Sequence, residues 1–144
     1  MTPIKPPAGN RPALLVVAAH PDDEVLGCGA AMARHAAEGD RVWTLILGEG
    51  IASRRGVSPA GKKRLIRRLG EDAARANAIL GVEKVILRDF PDNAFDTVPL
   101  LFVVRAIEEV VAVLRPCTVL THHVGDLNID HRVTADAVRT ACRP

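Results

Sequence analysis

Four of the chain's five histidines fall into two short stretches rich in carboxylates. The first is His20-Pro21-Asp22-Asp23-Glu24. The second runs from Thr121 through His122, His123, Asp126, Asn128 and Asp130 to His131. Imidazole nitrogens and carboxylate oxygens bind a divalent metal, and a set of three leaves a coordination position open for water. His20 and Asp23 are three residues apart, so one helical turn places both on the same side. Asp22 then points elsewhere and is available to take a proton from a water. One histidine of the second stretch completes a His, Asp, His set suited to hydrolysing an amide or ester.

Other readings explain less. Pro21 fits a first helical turn, and acidic residues there complement the helix dipole, but this leaves His20 at the end of an apolar strand unexplained. Asp126-x-Asn128-x-Asp130 has the opening spacing of an EF-hand. The sixth position of that loop is His131 where glycine is needed, and the twelfth is Ala137 where a bidentate glutamate is needed. An N-cap at Asp130 leaves three histidines in ten residues without a purpose. Gly27-Cys28-Gly29 is half of a dinucleotide fingerprint, but Met32 replaces the third glycine and Asp22 and Asp23 would repel a pyrophosphate.

Positioning these stretches requires alternating strands and helices. Apolar runs predict strands over Ala13–Ala19, Arg41–Leu47, Lys84–Leu87 and Cys117–Thr121. Helical periodicity predicts helices over Pro21–Glu38 and Lys62–Leu80, a third capped by Thr97 with Pro99 at its first position, and a fourth over His131–Cys142. The third presents Leu100, Val103, Val104, Ile107, Val111 and Leu114 to the sheet. The pattern predicts a Rossmann-like three-layer α/β/α fold with a mostly parallel sheet in the order 3-2-1-4. In that order the connections reverse between strands one and four, so a crevice opens where both clusters lie. Gly48–Gly61, with Ser53, Arg54 and Arg55, is long enough to be a lid or a plain surface loop.

The 144 residues favour one domain, Ala13–Pro144, behind a flexible proline-rich arm, Met1–Pro12. Aromatics make up 3% of the chain, so the core must be aliphatic. The net charge of +2 gives no footing for nucleic acid or a membrane surface. The basic start of helix two, Lys62 to Arg68, reads as a solvated face and carries no interleaved aromatics. No apolar run suffices for a membrane span, and the arm lacks the apolar core of a secretory signal. Cys28, Cys117 and Cys142 read as small buried hydrophobes in a reducing compartment, so a cytoplasmic location is expected.

His20-Pro21-Asp22-Asp23-Glu24, paired with Gly125-Asp126-Leu127-Asn128-Ile129-Asp130-His131-Arg132, resembles the LmbE/PIG-L family of zinc-dependent N-acetylglucosaminyl deacetylases. Arg68-x-x-Glu71, Leu80-Gly81 and Asp92-Asn93 extend the resemblance along the chain after the arm. It implies hydrolysis of an acetyl group from an amino-sugar conjugate, with His20, Asp23 and His131 as zinc ligands and Asp22 as general base. Iron also accepts such ligands. Arg68 and Asp92 fall where the family contacts its sugar. Two departures stand out. Asn128 occupies the place of a histidine that aids the oxyanion or the leaving amine; an amide can donate to an oxyanion but cannot supply a proton, which turns attention to His122, to His123 on the substrate side, or to Asp22 doing both jobs. The chain also ends before the usual C-terminal part of the fold, and a second copy completing the sheet in a homo-oligomer is one remedy. A sugar-binding module without turnover and a hydrolase of non-sugar amides or esters are the alternatives.

Overall fold

The computed structural model describes residues 4, 11–51, 56 and 58–143. Its elements run β1 (Ala13–Ala18), α1 (Asp23–Ala37), β2 (Arg41–Gly48), α2 (Pro59–Ile79), β3 (Lys84–Phe90), a 3-10 turn (Phe95–Thr97), α3 (Leu100–Leu114), β4 (Thr118–Leu120) and α4 (Ile129–Ala141). The four strands form one parallel sheet in the order β3-β2-β1-β4, as the sequence pattern predicts.

The two central strands are buried along their whole length, which is why β1 reads as an unbroken apolar run and β2 as one interrupted only by Thr44 after Arg41. Their side chains alternate between two clusters. Leu14, Val16 and Val42 pack with Met32 of α1. Leu15, Val17, Trp43 and Leu45 pack with Val103, Val104 and Ile107 of α3 and Val138 of α4. No described helix is long and apolar enough to cross a membrane.

Several boundaries differ from expectation, each for a local reason. α1 starts at Asp23 because Asp22 takes a positive φ of 121°, which is not helical. β3 continues three residues past Leu87 to Phe90, held by pairing with β2. Thr97 does not cap α3; its hydroxyl donates to Ala94 O, and Pro99 is the capping residue. Leu100 lies in the first turn of α3 and is exposed, while Val103, Val104, Ile107 and Leu114 are buried as expected. The last helix begins at Ile129 and is capped by Asn128, not Asp130. Cys117 and Cys142 are exposed and Cys28 is half-buried, against the expectation of buried thiols. The first two stand at the rim of β4 and at the end of α4, where little packs over them.

Of the expected arm, Ile4, Arg11 and Pro12 are described. Ile4 packs against the core, and Arg11 reaches Glu83 at 2.6 Å. The expected lid residues Ser53, Arg54 and Arg55 lie outside the described residues.

The sheet's C-terminal edge is pinned from below. At Gly48 an added Cβ would stand 3.0 Å from Ala19 O and 3.1 Å from the Phe95 ring. Glycine there lets Phe95 close fully over the end of β2, and Phe95 forms the floor of the region described next.

Candidate metal centre

β1 delivers His20, and the first turn of α1 delivers Asp23. The Asp23 carboxylate folds back to accept from the His20 backbone N–H at 2.9 Å. Asn128 caps α4 by accepting from the N–H groups of Asp130 and His131, at 2.9 and 3.4 Å, so His131 projects from a fixed first turn. The result is a compact group: Asp23 Oδ2 lies 3.3 Å from His20 Nδ1 and 3.2 Å from His131 Nε2. His20, Asp23 and His131 each offer a ligand atom, and these atoms lie within 4.8 Å of one another.

The far nitrogen of each imidazole rests on a carboxylate. His20 Nε2 is 2.9 Å from Asp130 Oδ2, and His131 Nδ1 is 3.0 Å from Asp126 Oδ2. A proton held on those outer nitrogens leaves the inner ones as lone-pair donors, the arrangement that orients metal-binding histidines. Two nitrogens and one carboxylate oxygen, each supported from behind, fit a zinc-type ion with a coordination position to spare.

The electrostatics follow from crowding. Burial pulls the His20 pKa down, but hydrogen bonds to Asp23 and Asp130 and their negative charges outweigh it and push it to about 9. Burial would raise Asp23; its hydrogen bonds to the His20 side chain and backbone, with the nearby His131, hold it below the usual carboxylate value instead. Asp126, which accepts from Asn128 N–H and pairs with His131, is also held low. Asp22 moves the other way, raised by burial and by the charge of Asp23.

Asp22 sits at the N-cap position of α1 without making a side-chain capping bond. A non-glycine residue at φ 121° and ψ −32° is strained, by roughly 1–3 kcal/mol. Asp22 is among the residues that line a groove of about 390 Å³ between α1 and α2, with Pro21, Leu26, Leu69 and Asp72.

The other expected residues are placed as follows. His122, not His123, turns toward the metal-binding group. Its ring stacks on that of His131 with centroids 3.9 Å apart, and its Nε2 accepts from Ala19 N–H at 2.9 Å. Burial and the neighbouring His131 lower its pKa, so the ring is neutral near pH 7. His123 is exposed, and its Nδ1 accepts from Gly125 N–H within its own loop. Asp92 is buried, with Oδ1 3.3 Å from His20 Nε2. Arg68 lies on the exposed side of α2, 3.8 Å from Asp72, which lines the groove beside Asp22.

Sequence reasoning undervalued two residues. Asp130 is completely buried and accepts from Asn93 N–H at 2.6 Å and Phe95 N–H at 3.0 Å besides meeting His20. Glu24, read as an acidic residue that complements the dipole of the first turn, is 1% exposed. No periodicity announces either; the one available signal is that each adjoins a residue of the candidate metal-binding set.

A parallel α/β sheet thus gathers His20, Asp23 and His131, a set that could hold a metal ion, at the reversal of strand order, with Asp22 next to Asp23 in the chain. Residues 15–142 match the model of the family described as PIG-L: GlcNAc-PI de-N-acetylase, and the chain belongs to that family. It is 29% identical over 141 residues to the "Uncharacterized deacetylase YaiS" of Escherichia coli K12, covering 94% of this chain and 71% of that protein. Among solved structures it resembles GalB, the 4-carboxy-2-hydroxymuconate hydratase of Pseudomonas putida KT2440. The TM-score is 0.77 at 27% identity, over 90% of this chain and 55% of that one. It shares its fold with the N,N'-diacetylchitobiose deacetylase of Pyrococcus horikoshii, with a TM-score of 0.78 at 19% identity, over 90% of this chain and 48% of that one. The chain thus spans about half the length of these two solved proteins.

Proposed function

We propose that the chain is a metal-dependent hydrolase that removes the N-acetyl group from an amino sugar of the N-acetylglucosamine type. The observation that carries this reading is the meeting of His20, Asp23 and His131 within one cation's reach, beside a carboxylate, Asp22, that caps nothing. His20, Asp23 and His131 would hold the ion, zinc by the chemistry of the donor set. When bound, such an ion polarises the acyl carbonyl and lowers the pKa of a water.

The chain's own groups carry the proton. Asp22 accepts it as the water oxygen bonds to the acyl carbon. It returns the proton to the departing amine as the C–N bond breaks, releasing acetate and the free amino sugar. Its raised pKa suits both roles, since a base that must also act as an acid works best with a pKa shifted toward the working pH. The Asn128 oxygen serves the helix cap, so only its amide N–H₂ has hydrogens to offer an oxyanion. His122 is a poor proton source because its ring is neutral and its Nε2 already accepts from Ala19. Arg68 and Asp92 are assigned to the sugar side by family resemblance. Arg68 approaches from the groove's rim through Asp72, and Asp92 acts from behind His20.

Acetate release from a panel of N-acetylglucosamine conjugates, with chelator and then with added zinc, tests the reading. Release that stops with chelator and returns with zinc supports it. No release from any conjugate by the zinc-loaded protein overturns it. The similarity to GalB favours a second reading, addition of water across the double bond of an unsaturated carboxylic acid with Asp22 again moving the proton. Loss of the conjugated chromophore of such an acid, without acetate release, would select it.

A further inference from the structure

Behind the metal-binding group a chain of buried polar side chains runs from β2 through α2 to the backbone of Asp22. Thr44 Oγ1 donates to Asn77 Oδ1 at 2.8 Å, and Asn77 Nδ2 donates to Glu24 Oε1 at 2.8 Å. Glu24 Oε2 then accepts from the Asp22 N–H at 3.0 Å. Thr44, Asn77 and Glu24 are each 1% exposed or less. Asn77 also donates to Ala73 O at 2.9 Å, so its amide is fixed within its own helix.

From this geometry we infer that Asn77, far from the clusters in sequence, is a positioning residue for Asp22 and acts through Glu24. The inference rests on the proposed role of Asp22 as the proton acceptor. The physical need is plain at Asp22 itself. Its backbone occupies a conformation that L-residues avoid, and its side chain makes no capping bond that would hold it there. The side chain of Glu24 reaches back over one turn to grip that N–H. A glutamate has three rotatable bonds, and its grip is specific only if its other oxygen is held. Asn77 holds it, and Thr44 holds Asn77. Buried polar chains of this kind fix one geometry when every member is satisfied. A small displacement of a reacting group costs on the order of a hundredfold in rate, so the bridge has a catalytic consequence although Asn77 touches no reactant.

The test exchanges donor and acceptor. Asn77→Asp replaces the amide donor with a second carboxylate against Glu24 and breaks the bridge. Glu24→Gln combined with Asn77→Asp restores the link to residue 24 with the polarity reversed, though not the bond to Ala73 O: the new amide nitrogen donates to the new carboxylate, and the new amide oxygen still accepts from Asp22. Asn77→Ala is the milder break. Two readouts are taken on zinc-loaded protein. Hydrogen exchange at the Asp22 amide reports the grip directly and requires no turnover. The expected result is exchange at least about tenfold faster in both single variants and slow exchange again in the double variant. With the N-acetyl substrate, kcat falls about tenfold to a hundredfold in the singles at unchanged KM and metal content, and recovers in the double. An Asp22 amide as protected in Asn77→Ala as in the parent overturns the inference. Absence of turnover in the parent protein overturns the proposed reaction instead, and the exchange result still decides whether Asn77 grips the Asp22 backbone.

Discussion

His20 Nε2 lies 2.9 Å from Asp130 Oδ2, across 110 residues of chain. Asp130 is completely buried, and the same carboxylate receives the N–H groups of Asn93 and Phe95. It therefore ties three segments together: the end of β1, the turn after β3 and the first turn of α4. Asp130→Ala should strip the partner from two backbone donors and from His20. Each buried group left unsatisfied costs about 1–3 kcal/mol. Asp130→Asn is the milder change, since its amide nitrogen sets a donor against one backbone N–H only, that of Asn93 at the Oδ2 place or of Phe95 at the Oδ1 place. At the Oδ2 place it also donates to His20 Nε2 and drives the imidazole proton onto Nδ1, the atom facing Asp23. Zinc affinity should fall about 10- to 100-fold with a smaller loss in urea midpoint than Asp130→Ala. Chelator competition and urea unfolding on the same samples check both halves.

The protons of the metal-free protein give a second prediction. His20 keeps its proton up to about pH 9, because the pull of Asp23 and Asp130 exceeds the effect of burial. A cation must displace that proton. Apparent zinc affinity should therefore rise by about tenfold per pH unit from 6.5 toward 9, and calorimetry in buffers of different ionisation enthalpy should register about one proton released per ion near pH 7.5. The same shift acts on folding without metal. A pKa raised on folding contributes stability that is complete below the unfolded value of 6.5 and is lost as pH rises through about 9. The chelated protein should melt at progressively lower temperature across that window. A flat affinity profile between pH 6.5 and 8 would contradict the assignment of the proton.

Asp22 joins a chemical role to a strained backbone, and the two can be separated. Asp22→Asn keeps the shape and should lower turnover by about 10²–10⁴-fold with zinc content unchanged. Asp22→Gly should be equally inactive yet more stable, because glycine adopts a positive φ without penalty. The gain is expected at about 1 kcal/mol, the low end of the strain, since the helix also loses a favourable charge at its N-terminus. Thermal melts of the three proteins test this, and a lower melting temperature for Asp22→Gly than for the parent would contradict it.

The fold was legible because its two central strands are buried on both faces, so Leu14–Ala18 and Val42–Leu47 carry an apolar signal broken only by Thr44. The sheet order and the place of the crevice follow from that signal and from handedness alone. The cluster of His20, Asp23 and His131 was legible because four of the five histidines lie near two strand ends. What the sequence concealed were partnerships at long range. Glu24 looks like an acidic residue set against the helix dipole until Asn77, 53 residues away, is found against it. His122 and His123 are adjacent and alike in composition, and only the β4 register decides that the former meets Ala19 and the latter its own loop. The cysteines misled for a related reason: an apolar run such as that leading into β4 does not reveal that the strand has a neighbour on one side only.

At the opposite end of the sheet, Glu83 clasps the buried Arg41 with bonds of 3.0 and 2.8 Å to one carboxylate oxygen and meets the exposed Arg11 with the other. The Arg41 hydrogen bonds hold the Glu83 carboxyl below its usual value, against a smaller opposing effect of burial. A pKa lowered on folding contributes stability present above the unfolded value, near 4.5, and lost as pH falls through the lowered one. Glu83→Gln should therefore be less stable than the parent at pH 7, by about 1–3 kcal/mol, because Arg41 is left buried against a neutral amide. Below the lowered pKa the parent's carboxyl is also neutral, so the two urea midpoints should draw together as pH falls below 4.5. Arg11→Ala, which removes the exposed partner, should cost no more than about 1 kcal/mol and lose that effect in high salt. Midpoints that stay parallel from pH 7 to below the lowered pKa would show that the charge on Glu83 does not stabilise this end of the sheet.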